Sequence, residues 1–247
     1  MKTGIRQEKV HIHSLFIPDI MPDFDATVAW KCLSPHDRFR FFRSNYARKK
    51  ELLISRYFLH KTIEQYFPHV FCNDRLSIRR DRYGKPFLFS GSERLPIYFN
   101  LAHTRGLMCC AVSLLHPLGV DAEFLDPDRI RFVRHYIAEP EREVLESMKT
   151  GRARYLYELW TLKEAFLKAD GRGLGIDLDA FWLIRNLYGL CEKITVNFSE
   201  KFEHRWDGKW FFELLRPTPD HVLALAVQAR SRPVVSHIVR FWEDLRV

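Results

Sequence analysis

The sequence lacks an apolar run long enough to cross a bilayer. Its least polar stretch, residues 107–120, is broken by Ser113, His116 and Pro117 and falls short of the roughly 20 residues a membrane helix requires. No transmembrane helix is expected. Cysteine is sparse: Cys32, Cys72, Cys109, Cys110 and Cys191 form an odd set without a C-x-x-C spacing, so neither a disulfide framework nor a zinc site is suggested. The eleven histidines show no zinc-ligand spacing either. Residues 1–9 carry charge where a secretory signal needs an apolar segment, and Asp19 interrupts the only later candidate. A reducing cytoplasmic location is the expectation. Glycine, serine and proline form no tract that reads as a linker. Acids are also short, 31 against 39 Lys and Arg in 247 residues, leaving a formal charge of +8. That balance favours an anionic partner, whether a nucleic acid, a nucleotide-like small molecule or an acidic protein.

Apolar residues make up 47% and charged residues 28% of the chain, the proportions of folded material with a full core and not of a disordered chain. Residues 35–67 read as helical behind a Ser34-Pro35 start signal, with Phe39, Phe42, Tyr46, Leu53 and Tyr57 at helix-like spacing. The polar side of this stretch is basic, from Arg38 through Arg40, Arg43, Arg48, Lys49 and Lys50 to Arg56. A turn at Tyr83-Gly84-Lys85-Pro86 precedes strands expected over 97–102, 107–115 and 118–124, the second apolar enough to be covered on both faces. Residues 141–169 return to helical periodicity and stop at Gly171-Arg172-Gly173. Alternating strands are expected over 181–185, 194–198, 210–215 and 222–227. Each half thus runs from a helical region into strands and ends on an apolar strand, an α+β layout of two similar lobes, 1–116 and 117–247.

Three clusters carry chemistry. In Gly119-Val120-Asp121-Ala122-Glu123-Phe124 the two carboxylates leave one face of a strand and the apolar residues the other. Such a pair is either a solvated strand edge or a pair of ligands for a hard cation such as Mg²⁺. From Trp160 to Lys168, a helix places Trp160, Glu164 and Lys168 on one stripe. The bland reading is a surface ion pair between Glu164 and Lys168 worth about 0.2–0.5 kcal/mol. In Phe99-Asn100-Leu101-Ala102-His103-Thr104, Asn100 and His103 emerge at a strand end, where binding residues gather.

The order and spelling of these clusters resemble the 4′-phosphopantetheinyl transferase superfamily, specifically its larger surfactin-synthetase-activating type. That family carries G-(V/I)-D-x-E and then W-x-x-K-E-A-x-x-K-x-x-G-x-G-L. Here Gly119 to Glu123 match the first pattern and Trp160 to Leu174 the second. Tyr83-Gly84-Lys85-Pro86 and Phe99 to Thr104 look like its Y-G-K-P and F-N-x-S-H-S elements. The resemblance spans residues 34–174 in the family's order.

The resemblance implies two pseudo-symmetric α/β lobes with coenzyme A between them, and transfer of its phosphopantetheine arm to a serine of an acyl or peptidyl carrier protein, with release of adenosine 3′,5′-bisphosphate. Asp121, Glu123 and Glu164 would hold Mg²⁺ against the pyrophosphate, and Lys168 would stabilise the leaving bisphosphate as an electrostatic or general-acid group. Lys163 would support the site from another side of the helix. Arg43, Arg48, Lys50, Lys85 and His103 would cradle the phosphates. Glu141 best matches the general base, with Glu139 and a metal-bound water as competitors. Ala102 stands where the family has serine, removing one hydroxyl from the phosphate contacts. The partner would be a carrier presenting an acidic helix, the chain a monomer, and neither nucleic acid nor membrane a partner. Two rival readings are a metal-dependent nucleic-acid-binding enzyme, which the charge favours, and a catalytically dead carrier-binding relative, which Ala102 prompts.

Overall fold

The computed structural model describes residues 9–18, 26–66, 68, 76–126, 130–172, 177–188, 191–199 and 209–242. Strand β1 (Lys9–Phe16) is followed by helices α1 (Ala26–Lys31), α2 (Pro35–Phe42) and α3 (Tyr46–Tyr66). Strands β2 (Leu76–Arg80), β3 (Pro86–Ser90), β4 (Glu93–Arg94), β5 (Tyr98–Thr104) and β6 (Leu107–Ser113) complete the first half. The second begins with β7 (Leu118–Phe124), continues through α4 (Glu139–Ser147) and α5 (Arg152–Asp170), and ends with β8 (Phe181–Tyr188), β9 (Cys191–Phe198), β10 (Lys209–Thr218), β11 (His221–Ala229) and β12 (Val234–Phe241).

The halves repeat one plan. In the first, a strand, a long helix, a hairpin and two further strands assemble a sheet in the order β1-β6-β5. In the second, β7, α5, the β8-β9 hairpin, β10 and β11 give the order β7-β11-β10. The final strand β12 returns to pair in parallel with β1. The mixed α/β expectation is met, and β6 and β11, the two apolar strands, each sit between two partners.

Alternation along these strands explains the layers. Leu107, Cys109 and Ala111 of β6 pack against Leu118, Val120, Leu223, Leu225 and Val227 of the second sheet. Met108, Cys110 and Val112 face Phe58, Leu59 and Ile63 of α3. Ala224 and Ala226 of β11 meet Leu162, Ala165 and Phe166 of α5. Two sheets therefore lie between two long helices, and β6 is buried along its whole length. Burying each large aliphatic side chain here contributes about 1.5–3 kcal/mol.

The two expected helical regions each break once. In the first, Arg43 ends α2, and Asn45 caps α3 by accepting the Arg48 amide at Oδ1, 3.0 Å away. In the second, Gly151 with φ of 76° separates α4 from α5. The apolar spacing of 39–57 also misjudges one face: Leu53 and Tyr57 are buried, but Phe39, Phe42 and Tyr46 are 59%, 70% and 84% exposed.

Candidate active site

Edge strands β5 and β7 run side by side where the two sheets meet. Two side chains of β5 join them: Asn100 Oδ1 accepts the Val120 amide and Thr104 Oγ1 the Phe124 amide, each at 2.9 Å. On its other side β7 lies flush against α5. A Cβ on Gly119 would come within 2.2 Å of the Ala165 carbonyl oxygen and 2.3 Å of the Ala169 amide, so no side chain fits there and the strand that carries Asp121 is fixed against the helix that carries Lys168.

This close approach brings the two carboxylate motifs together. Lys168 Nζ donates to Asp121 Oδ1 at 2.5 Å, and Trp160 Nε1 donates to Glu123 Oε1 at 3.1 Å. Glu164 lies one turn from each of those helix residues. Burial raises the Asp121 carboxyl against the pull of Lys168. Burial, with Asp121 adding to it, pushes Glu123 up to about 7, opposed by the Trp160 hydrogen bond and Lys168. Glu164 is raised by burial and by Asp121. Three carboxylates thus act on one another around a single ammonium. Asp121 Oδ2 is buried without a hydrogen-bond partner. Among the described residues, no three or more His, Cys, Asp or Glu side chains are grouped closely enough to hold a metal ion, and Lys168 occupies Asp121 Oδ1.

The cluster borders a cleft of about 830 Å³ lined by both halves. Glu164, Leu167, Lys168 and Gly171 line one side; Arg43, Arg48, Lys85 and His103 contribute from the other. Lys50, expected with them, is half-buried on α3 and is not among the lining residues. The Asp81 carboxylate shapes the Lys85 turn by accepting the amides of Tyr83 at 2.9 Å and Lys85 at 3.0 Å, with Gly84 at φ 89°. Lys85 Nζ donates to the Ala169 carbonyl at the end of α5, where cations are favoured. Gly171 allows this contact: its φ is +84°, and a Cβ there would meet Lys85 Cδ at 2.4 Å. Burial lowers the Lys85 ammonium, and Asp170 and Asp81 oppose it.

Arg40, Arg56 and Arg80 also line the cleft. Arg40 and Arg56 belong to the basic run without a spacing that marks them, and Arg80 comes from β2, which sequence reading missed. Arg56 is held by Asp37 through Nε to Oδ2 at 3.0 Å and Nη2 to Oδ1 at 2.9 Å. Burial, Arg56 and Arg40 lower the Arg80 guanidinium. Cations crowded in this way leave a place for an anion.

The second half also carries a sequence match to a known family. The profile of the 4′-phosphopantetheinyl transferase superfamily (ACPS) matches residues 117–226. The 4′-phosphopantetheinyl transferase gsp of Aneurinibacillus migulanus is 30% identical over 161 residues, 60% of this chain and 65% of that protein. The 4′-phosphopantetheinyl transferase Sfp of Bacillus subtilis strain 168 is 32% identical over 112 residues, 44% of this chain and 48% of that protein. The chain is similar to this superfamily, most clearly over its second half. The match spans less than two thirds of either relative's length. The solved holo-[acyl-carrier-protein] synthase of Neisseria meningitidis aligns over 46% of this chain and 97% of its own, with a TM-score of 0.39 and 20% identity.

Three expected residues need comment. Glu141, expected as a general base, is 1% exposed and absent from the cleft lining. Its Oε2 accepts the Ala138 amide at 2.8 Å and lies 2.6 Å from Lys163 Nζ, while Oε1 accepts the Leu183 amide at 2.9 Å. Both oxygens are committed to a buried clasp joining α4, α5 and β8, so the base assignment does not fit this geometry. Lys163, placed to the side of the stripe as expected, is the cationic half of that clasp and also donates to Leu178 O at 2.6 Å. Ala102 is 3% exposed and packs among Val120 and Ala122. It sits between the two β5 residues that hold β7, in the junction of the sheets. Gly173 and Leu174, the end of the long motif, lie outside the described residues.

Proposed function

We propose that this protein transfers the 4′-phosphopantetheine arm of coenzyme A to a serine hydroxyl of an apo acyl or peptidyl carrier protein, in a Mg²⁺-dependent reaction that releases adenosine 3′,5′-bisphosphate. The observation that carries this reading is the cleft between the halves, with Glu164 and the Asp121-bound Lys168 on one wall and arginines on the other. Coenzyme A would lie there, between a first lobe of residues 1–116 and a second of 117–247. Phosphoryl transfer asks the protein chiefly to position reactants and neutralise charge.

Asp121, Glu123 and Glu164 would hold the metal. The donors fit in kind: all are hard carboxylate oxygens, as Mg²⁺ requires, and Asp121 Oδ2 is buried without a hydrogen-bond partner. A divalent ion bound there would neutralise pyrophosphate oxygens and the mutual repulsion of the carboxylates. Lys168, half-buried at the cleft, would carry positive charge toward the leaving bisphosphate. Lys85 and the arginines would meet the other phosphates. A +8 chain would meet an acidic carrier helix rapidly, as a cytoplasmic monomer.

Incubation with apo carrier proteins, coenzyme A and Mg²⁺, followed by intact mass, should show one phosphopantetheine added per carrier. Chelation by EDTA should stop the addition, and restored Mg²⁺ should recover it. No adduct on any of a panel of fatty-acid, polyketide and peptide carriers would overturn the proposal.

A further inference from the structure

Strands β5 and β7 each end a sheet, β5 pairing with β6 and β7 with β11, and among the described residues no backbone ladder joins them. In an antiparallel pair alternate amides face alternate edges, so the edge of β7 away from β11 presents the amides of Val120, Ala122 and Phe124. Each of the three goes to a side chain. Val120 donates to Asn100 Oδ1 and Phe124 to Thr104 Oγ1, both at 2.9 Å. The Ala122 amide, between them, donates to the carboxylate of Asp121. Ala102, midway between Asn100 and Thr104 on β5, has no side-chain acceptor to compete for that amide. Asn100 is buried, so its bond is made away from water.

We propose that Asn100 and Thr104 are positioning residues for the metal ligands, a reading that rests on the function proposed above. Their two hydrogen bonds grip β7 four residues apart, and Asp121 and Glu123, the strand's two carboxylates, lie between the grips. With both grips in place the middle amide is left to Asp121, which orients that carboxylate and leaves its Oδ2 without a partner. The grips also tie the carboxylate strand to the half of the protein that carries Arg40, Arg43 and Arg48, so the two walls of the cleft keep one spacing. Losing a grip orphans a backbone donor and frees the edge of the strand to shift. Groups that hold a metal ligand in place through hydrogen bonds are worth about 10–100-fold in metal affinity.

Metal binding can be measured apart from transfer. Mn²⁺ takes the same carboxylate and water oxygens as Mg²⁺, and free Mn²⁺ is counted by electron paramagnetic resonance, with and without coenzyme A and with no carrier present. Thr104→Val keeps the shape and removes the acceptor, Thr104→Ser keeps the acceptor, and Asn100→Leu removes the buried one. Thr104→Val and Asn100→Leu should each weaken Mn²⁺ binding about tenfold or more and lower kcat, with KM for the carrier unchanged. Thr104→Ser should bind and turn over like the native protein. Thermal melts recorded alongside separate this role from a structural one: variants that melt lower yet bind Mn²⁺ and turn over as the native protein does overturn the inference. So does Thr104→Ser behaving like Thr104→Val. Should Asn100→Leu fail to fold, the Thr104 pair decides. If the native protein binds Mn²⁺ but modifies no carrier, the proposed function falls, and the affinity ratios still decide the roles of Asn100 and Thr104. A native protein that binds no Mn²⁺, even with coenzyme A, overturns both.

Discussion

Glu164→Ala is expected to lower phosphopantetheine transfer by about 10²-fold or more while the thermal midpoint stays level or rises. The two halves of this outcome share one cause. Glu164 sits half-buried one turn from Lys168 and within the field of Asp121, and both burial and Asp121 work against its charge. Its removal relieves repulsion in the free protein. Turnover should nonetheless fall, because losing one preorganised partner of a developing charge costs 10²–10³ in rate. Progress curves by intact mass, recorded over a Mg²⁺ titration beside a thermal melt, separate the effects: the variant should need more Mg²⁺ and still melt cooperatively. Full rate at ordinary Mg²⁺ would remove Glu164 from the site. A large fall in melting temperature would recast it as a structural residue.

The carboxylate wall was legible because its parts are local. Alternation places Asp121 and Glu123 on one strand face, the helical period places Trp160, Glu164 and Lys168 on one stripe, and the motif order says the two belong together. Their meeting depends on Gly119, whose missing side chain lets β7 touch α5, a long-range fact that no local period reveals. The first lobe was less legible. Its basic run is rich enough that almost any spacing yields candidates: the sequence points to Arg43, Arg48 and Lys50, whereas Arg40, Arg43, Arg48, Arg56 and Arg80 line the cleft. Those choices are made by tertiary pairing: Asp37 orients Arg56, and the β2–β3 hairpin delivers Arg80. Strands β1 and β12 escaped notice because their pairing joins the two ends of the chain. The Asn100 and Thr104 links escaped too, since a polar side chain that completes a strand edge reads in sequence like one aimed at a ligand.

Glu141 presents the same ambiguity, and stability decides it. Lys163→Ala is expected to destabilise the fold by about 3–5 kcal/mol, the cost of leaving one member of a buried pair uncompensated, which at this chain length lowers Tm by roughly 10 °C. Glu141→Ala should do the same from the other side, since both residues are 1% exposed and Glu141 also anchors the Ala138 and Leu183 amides. The paired change Glu141→Leu with Lys163→Met should recover part of the loss, because two apolar chains can fill the space without an orphaned charge. Denaturant unfolding of the native protein, Glu141→Leu, Lys163→Met and the paired change closes the cycle that measures that coupling. Transfer rate per folded molecule should stay within about threefold of the native value. A general base would behave otherwise, its removal costing about 10²–10⁴ in rate at little cost to the fold. A hundredfold loss in Glu141→Ala at native stability would therefore return the base to this position, and would require a rearrangement that frees a carboxylate now bound by Lys163 and two backbone amides.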